Sequence, residues 1–202
     1  MASTFRRSPL ALAVLGLLEA GPLHPYGIQQ LVRQWGKDQV INVGQRATLY
    51  KMITRLRDAG LIEVQGTGRD EQYPERTIYQ VTPEGRAVGR EWLAEILSTP
   101  RNEFPEFPAA LSFLPMLTPD EAAELLEQRR ERLVQRLAEL DAGIAVATDA
   151  GLPRVTVVEG EYVRAVTVAE LRWVGEYLDD LRDGSARWTR DELAAWADAP
   201  QP

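Results

Sequence analysis

Four cations, Arg46, Lys51, Arg55 and Arg57, recur within the stretch VGQRATLYKMITRLRDAGLIEV, which runs from Val43 to Val64. Gln45, Thr48, Tyr50 and Thr54 stand among them. Charged and hydrogen-bonding side chains mixed in this way suit a surface that meets an anionic, hydrogen-bonding partner. The rest of the chain offers little for covalent chemistry. It has no cysteine and one histidine, His24, which argues against disulfides, thiolate-bound metals and a serine–histidine triad. There is no nucleophile elbow, phosphate loop or metal-spaced cluster. The reading is of a non-enzyme with no catalytic residue, no metal and no cofactor.

The elements that must position those residues follow from periodicity. At about 100° per residue, Leu49, Met52, Ile53 and Leu56 share one side of a helix and pack inward. Ala47, Tyr50, Lys51, Thr54 and Asp58 occupy the opposite side, flanked by Arg46, Arg55 and Arg57. Gly60 stops the helix, and Leu61–Val64 leaves it as a strand. Ahead of it, Ser8-Pro9 starts a first helix, with serine as cap and proline in the first turn. Leu10–Leu18 is apolar almost all round, as expected of a helix enclosed by others. A second helix covers Ile28–Trp35, with Ile28, Leu31, Val32 and Trp35 inward and Gln29, Gln30, Arg33 and Gln34 outward. His24 reads as a turn residue beside Pro25.

After the central stretch, Leu61–Val64 and Thr77–Val81 alternate like half-buried strands, and QGTGRDEQYPER between them makes a hairpin tip. Thr82-Pro83 caps a fourth helix with an apolar side of Val88, Trp92, Leu93, Ile96 and Leu97. Three helices and a hairpin make a winged helix-turn-helix, whose third helix enters the major groove of DNA. A basic amphipathic helix can also be a solvated face or a docking face for an acidic protein, so an interaction module is the alternative reading.

Charge is divided along the chain. The net charge is −7, yet residues 1–98 hold 12 Lys+Arg against 10 Asp+Glu, and residues 99–202 hold 11 against 20. The front half therefore suits a polyanion and the back half does not. Arg6-Arg7 followed by LALAVLGLL has the outline of a signal peptide. Glu19 follows at once, however, and the run is about half a membrane span. It reads as a buried helix of a cytoplasmic protein.

Pro100, Pro105 and Pro108 mark a linker at residues 99–108. Beyond it, AALSFLPML is a short apolar helix. Thr118–Glu121 is a capping box opening a long helix with Leu126, Leu133, Leu137 and Leu140 on one side. A last long helix over roughly Val157–Leu181 has Val163, Val166, Trp173, Val174, Tyr177 and Leu181 on one side. Two such helices cannot bury their stripes against each other alone, so a second subunit or the fourth helix is expected there. A second capping box, Thr189–Glu192, with Trp188, Leu193 and Trp196, predicts a short helix folded back onto the body. The fold class is thus mainly α with a small β-hairpin. Residues 1–98 form the winged helix-turn-helix domain, including the fourth helix. An antiparallel long-helix dimerisation domain occupies 109–184, and a tail 185–202.

The chain resembles the PadR-like transcriptional regulators in three segments: ALAVLGLLEAGPLHPYGIQQ, ATLYKMITRLRDAGLIE and PERTIYQVTPEGR. Ala47-Thr48-Leu49-Tyr50, Arg55-Leu56 and Gly60-Leu61-Ile62 follow the family's order, as do Thr82 and Gly85-Arg86. The back half is similar to the helical domain of the longer members, so the likeness covers roughly residues 9–182. It implies a dimeric repressor, or less often an activator, on an inverted-repeat operator, released in many members by a small aromatic or drug-like molecule. The two reading helices would then lie about one turn of DNA apart, around 34 Å, or a multiple of it. By position, Thr48, Tyr50 and Lys51 would enter the major groove, while Arg69 and Arg76 would hold phosphate or the minor groove from the wing. Ala47 stands where relatives commonly have glycine, and the tip Arg69–Tyr73 is less basic than in many.

The candidate DNA-contacting set is therefore Gln45, Arg46, Ala47, Thr48, Tyr50, Lys51, Thr54, Arg55, Arg69 and Arg76, with Arg55 able instead to brace Asp58 or Glu63. The candidate dimer surface is Val88, Trp92, Ile96, Leu133, Leu137, Val166, Trp173 and Tyr177. The family also implies a ligand-stacking role for Trp92, the other reading being dimer core.

Overall fold

The computed structural model describes residues 5–70 and 73–197, without the side chains of residues 67–76, 196 and 197. It divides into two compact units, Met1–Asn102 and Glu103–Pro202. In the first lie α1 (Pro9–Ala20), α2 (Pro25–Gln34), α3 (Arg46–Asp58), strands β1 (Ile62–Asp70) and β2 (Tyr73–Val81), and α4 (Pro83–Ser98).

Helix starts follow the side chains able to cap them. The amide of Ala11 donates to Ser8 Oγ at 3.2 Å, and that of Gly27 to His24 Nδ1 at 2.7 Å. His24 is thus the cap of α2. α1 is the centre of the unit, with Ala11, Val14, Leu15 and Leu18 buried against α3, α4 and β2. Ile28 and Val32 of α2, and Leu49, Met52, Ile53 and Leu56 of α3, complete the core, as periodicity predicts.

Two expectations for α2 are corrected. Gln29 is buried, and Trp35 is half exposed. Trp35 has left the helix as its C-cap, so helical spacing no longer places it. Gln29 is tolerated inside because its Nε2 donates to the Val43 carbonyl at 2.9 Å, which satisfies both groups.

α3 ends in a left-handed glycine. Gly60 has φ +72°; its amide bonds Arg57 O at 2.9 Å, and that of Leu61 bonds Leu56 O at 2.9 Å. This is the Schellman arrangement, with apolar Leu61 folding under the helix. β1 and β2 pair antiparallel from Ile62↔Val81 to Asp70↔Tyr73, with irregularities at Val64/Gly66 and Gly68/Asp70. Both strands run further than the alternating residues indicate, because the bulges absorb the breaks in pattern around Gly66 and Gly68. Leu23 adds a bridge on the free edge of β2, exchanging hydrogen bonds with Tyr79 at 3.0 and 2.9 Å. The start of α4 is pressed onto this junction. Thr82 Oγ1 accepts from the Gly85 amide at 3.0 Å and donates to Gly60 O at 2.8 Å.

The second unit contains α5 (Glu106–Leu111), α6 (Pro119–Asp149), α7 (Val158–Asp183) and α8 (Arg190–Ala197). α5 begins inside the segment expected to be linker. Pro105 caps it and Pro108 lies in its first turn, where a missing amide hydrogen costs nothing. α6 packs on α7, and Leu126 and Leu133 of α6 share a buried seam with Val174, Leu178 and Leu181 of α7. The apolar side predicted for α7 joins two different stripes. Val163, Thr167, Val174 and Leu181 follow the seam, whereas Tyr162, Val166 and Trp173, about 100° further round, are exposed. Thr167 is buried at no polar cost, since its hydroxyl donates to Val163 O at 2.8 Å.

The tail folds back as expected: Trp188 packs on this core and donates from Nε1 to Leu117 O at 3.1 Å. The Trp196 side chain lies outside the described residues. Among the described residues, no helix is long and apolar enough to cross a membrane.

Both capping boxes form. Glu121 Oε2 accepts from the Thr118 amide at 2.7 Å, and Glu192 Oε2 from that of Thr189 at 2.8 Å. Hydrogen bonds from Thr118 hold the Glu121 carboxyl below the ordinary glutamate range, and those from Thr189 do the same for Glu192. Such groups stabilise the fold above the unfolded pKa and lose that contribution as pH falls through the folded one. The melting temperature is expected to drop as pH falls below about 4.5, and Glu121→Gln should flatten that drop, as followed by circular dichroism.

A second test concerns packing. A Cβ on Gly85 would lie 1.9 Å from the Leu61 carbonyl oxygen, which belongs to backbone and cannot swing away. Gly85→Ala is expected to cost about 3 kcal/mol or more in urea unfolding.

Candidate nucleic-acid interface

α3 presents one uninterrupted free face. Gln45, Arg46, Ala47, Thr48, Tyr50, Lys51, Thr54 and Arg55 are all exposed, and the opposite side is fully committed to the core. Gln45 is the N-cap and no side chain caps it, so the helix presents the positive end of its dipole uncovered. Thr48 Oγ1 lies 3.5 Å from Gln45 Oε1, placing two hydrogen-bonding groups at this end.

The cations are held in different ways. The Arg46 guanidinium lies 5.7 Å from the centre of the Tyr26 ring, and Tyr26 is stacked with His24 at 6.0 Å. The short segment His24-Pro25-Tyr26 thereby caps α2 and supports the first residue of α3. Arg57 pairs with Asp58 at 2.9 Å, and that hydrogen bond raises its pKa. The only carboxylate of the helix is thus occupied by an arginine. Arg55 pairs with neither expected partner: Asp58 is taken, and Glu63 accepts from Gln80 Nε2 at 2.7 Å. Instead its guanidinium lies 4.9 Å from the centre of the Phe5 ring. Lys51 has no ion-pair partner among the described residues.

In the wing, the backbone pairs Gly68 with Arg76. The side chains of Arg69 and Arg76 lie outside the described residues.

The residues expected at a dimer surface divide into two groups. Ile96, Val166 and Trp173 are exposed, and Val88, Leu137 and Tyr177 are half-buried. Trp173 stacks on Tyr177 at 5.2 Å. Trp92 and Leu133 are covered within their own units. Trp92 stacks on Phe5 with ring centres 5.7 Å apart, and Leu133 belongs to the seam of α6 and α7. The two have different covers: α7 covers Leu133, and Phe5, ahead of the first predicted helix, covers Trp92, although nothing in the local pattern marks it. Tyr26 and Gln29 were equally unmarked as supports of the interface, although the adjacent His24 and Pro25 indicate a constrained turn.

Together these features define a winged helix-turn-helix protein carrying a second, α-helical unit. The chain matches the model of the transcriptional regulator PadR-like family over residues 14–91. It is 25% identical over 136 residues to the negative transcriptional regulator PadR of Bacillus subtilis (strain 168), covering 65% of this chain and 70% of that protein. Its fold is similar to the crystal structure of Bacillus subtilis PadR in complex with operator DNA, with TM-score 0.68, 19% identity and coverage of 86% of this chain and 99% of that one. Bacillus subtilis PadR in complex with p-coumaric acid has TM-score 0.64 at 19% identity, covering 88% and 99%. A PadR-like transcriptional regulator from Bacillus cereus has TM-score 0.61 at 19% identity, covering 89% and 99%.

The Gln29–Val43 hydrogen bond ties α2 to the lead-in of α3 and so sets where the free face begins. Gln29→Leu leaves the Val43 carbonyl without its partner and is expected to lower the unfolding free energy by about 1–3 kcal/mol in urea titrations.

Proposed function

We propose that this regulator is a cytoplasmic homodimeric repressor, without catalytic activity, that reads a palindromic DNA operator with α3. The observation that carries the reading is the free face of α3. It has an uncapped N-terminus, small and hydrogen-bonding residues at its centre and cations along its edges, and its one carboxylate is already paired. A helix entering a major groove needs this combination. Tyr50, Lys51, Ala47 and Thr54 face base edges in this reading, with Gln45, Arg46, Thr48 and Arg55 beside them and Arg69 and Arg76 reaching from the wing.

The second subunit is supported by Tyr162, Val166 and Trp173, which stay exposed along one side of α7, and by Ile96, exposed on α4. An exposed apolar stripe of this kind favours association of two copies. The p-coumaric acid complex of the Bacillus subtilis relative supports a small aromatic acid as effector, weakening the hold on DNA.

Selection of bound sequences from random duplexes tests the reading, and a palindrome is the expected result. On the recovered site, Tyr50→Ala with Lys51→Ala should weaken binding at least tenfold, roughly, and added p-coumaric acid should weaken it in the unchanged chain. Unchanged affinity in the double variant would remove α3 as the reader. Binding to an acidic protein with no affinity for duplex DNA would replace the proposal with an interaction module.

A further inference from the structure

The segment ahead of α1 lies along α4 and is fastened at two points. The Phe5 ring stacks on Trp92 at 5.7 Å with the planes 27° apart, and Arg7 forms an ion pair with Glu95. Ser8 then caps α1. The position of Phe5 is therefore fixed from α1 and α4. Its contact with α3 is of another kind: the guanidinium carbon of Arg55 lies 4.9 Å from the ring centre. Arg55 remains exposed and lies on the same flank of α3 as Thr48 and Lys51.

We infer that Phe5 is a positioning residue for DNA binding, holding Arg55 over its ring so that the guanidinium meets a phosphate already oriented. The inference rests on the proposal that α3 faces the duplex. A guanidinium over a ring is held through its flat face, while its N–H donors lie in its own plane and stay available to phosphate oxygens. A free arginine on a helix surface explores many rotamers, and that freedom is lost when it binds. The ring removes much of this loss beforehand, which is how preorganisation strengthens binding. It does so without neutralising the charge, as a carboxylate partner would; Arg57, paired with Asp58, shows the contrast within one helix. Arg55 thus keeps its full charge for the DNA.

Binding of the 202-residue chain to a mixed-sequence DNA duplex, followed by fluorescence anisotropy across a salt series, tests this. Phe5→Leu keeps apolar volume against Trp92 and removes the ring. With two such sites in a dimer it should weaken binding about 5–30-fold and move the salt slope toward that of Arg55→Ala. Phe5→Tyr, which keeps a ring, should bind as the unchanged chain does. In the Arg55→Ala background, Phe5→Leu should add nothing. Should leucine disturb folding, as judged by circular dichroism, Phe5→Met serves in its place.

Unchanged affinity and slope in Phe5→Leu would overturn the inference alone. So would an equal loss with and without Arg55, which would mean that Phe5 acts on the fold rather than on the arginine. An unchanged chain that binds neither this duplex nor any recovered from random sequences would overturn the proposed function and this inference with it.

Discussion

One backbone carbonyl, that of Leu61, lies where four elements of the first unit meet. α3 ends immediately before it, in the left-handed turn at Gly60, and β1 begins immediately after it. The Thr82 amide at the end of β2 donates to it at 3.1 Å, and Gly85 in the first turn of α4 passes so close that no Cβ fits. Thr82 extends the junction by donating its hydroxyl to the Gly60 carbonyl while capping α4. The angle between α3 and the hairpin, and the direction in which α4 departs, are therefore set by a few hydrogen bonds and two glycines. One glycine is needed for its φ, the other for its missing side chain.

Around that junction the free face of α3 is prepared from outside the helix. Tyr26 lies under Arg46, Phe5 under Arg55, and Gln29 secures the segment that leads in. None of these residues belongs to the face itself. The fold thus spends aromatic side chains from neighbouring segments on orienting cations, which keeps those cations charged and accessible. Carboxylates are used differently on the body of the unit, where Glu19 binds Arg86 and Arg90 and so joins α1 to α4.

The second unit solves another problem. α6 is 31 residues long and α7 is 26, and such helices carry more apolar surface than one seam can cover. The seam takes Leu126, Leu133, Val174, Leu178 and Leu181, with ion pairs Arg129–Glu170 and Arg164–Asp141 beside it. Phe107 and Trp188 close one end. What remains outside on α7 includes the apolar Tyr162, Val166 and Trp173.

The sequence alone was enough for whatever depends on neighbours along the chain. Caps at Ser8, Thr82, Thr118 and Thr189, the stop at Gly60, the strand pair, and the inward and outward sides of α3 all follow from local hydrogen-bonding capacity and a period of 3.6 residues. The candidate reading residues were legible for the same reason, since a helix has only two sides and Leu49, Met52, Ile53 and Leu56 claim one. Tertiary structure alone decided which distant residues cover which. Gln29 points inward because a carbonyl 14 residues away awaits it, and Trp92 is buried because Phe5 reaches it. The two apolar stripes of α7 could not be separated without a partner helix to choose between them. Periodicity shows that a side chain faces away from water or toward it. Which group meets it there depends on how the chain returns on itself, and that was true of the stretch Val43–Val64 as well: its face was readable, and the supports that hold it were not.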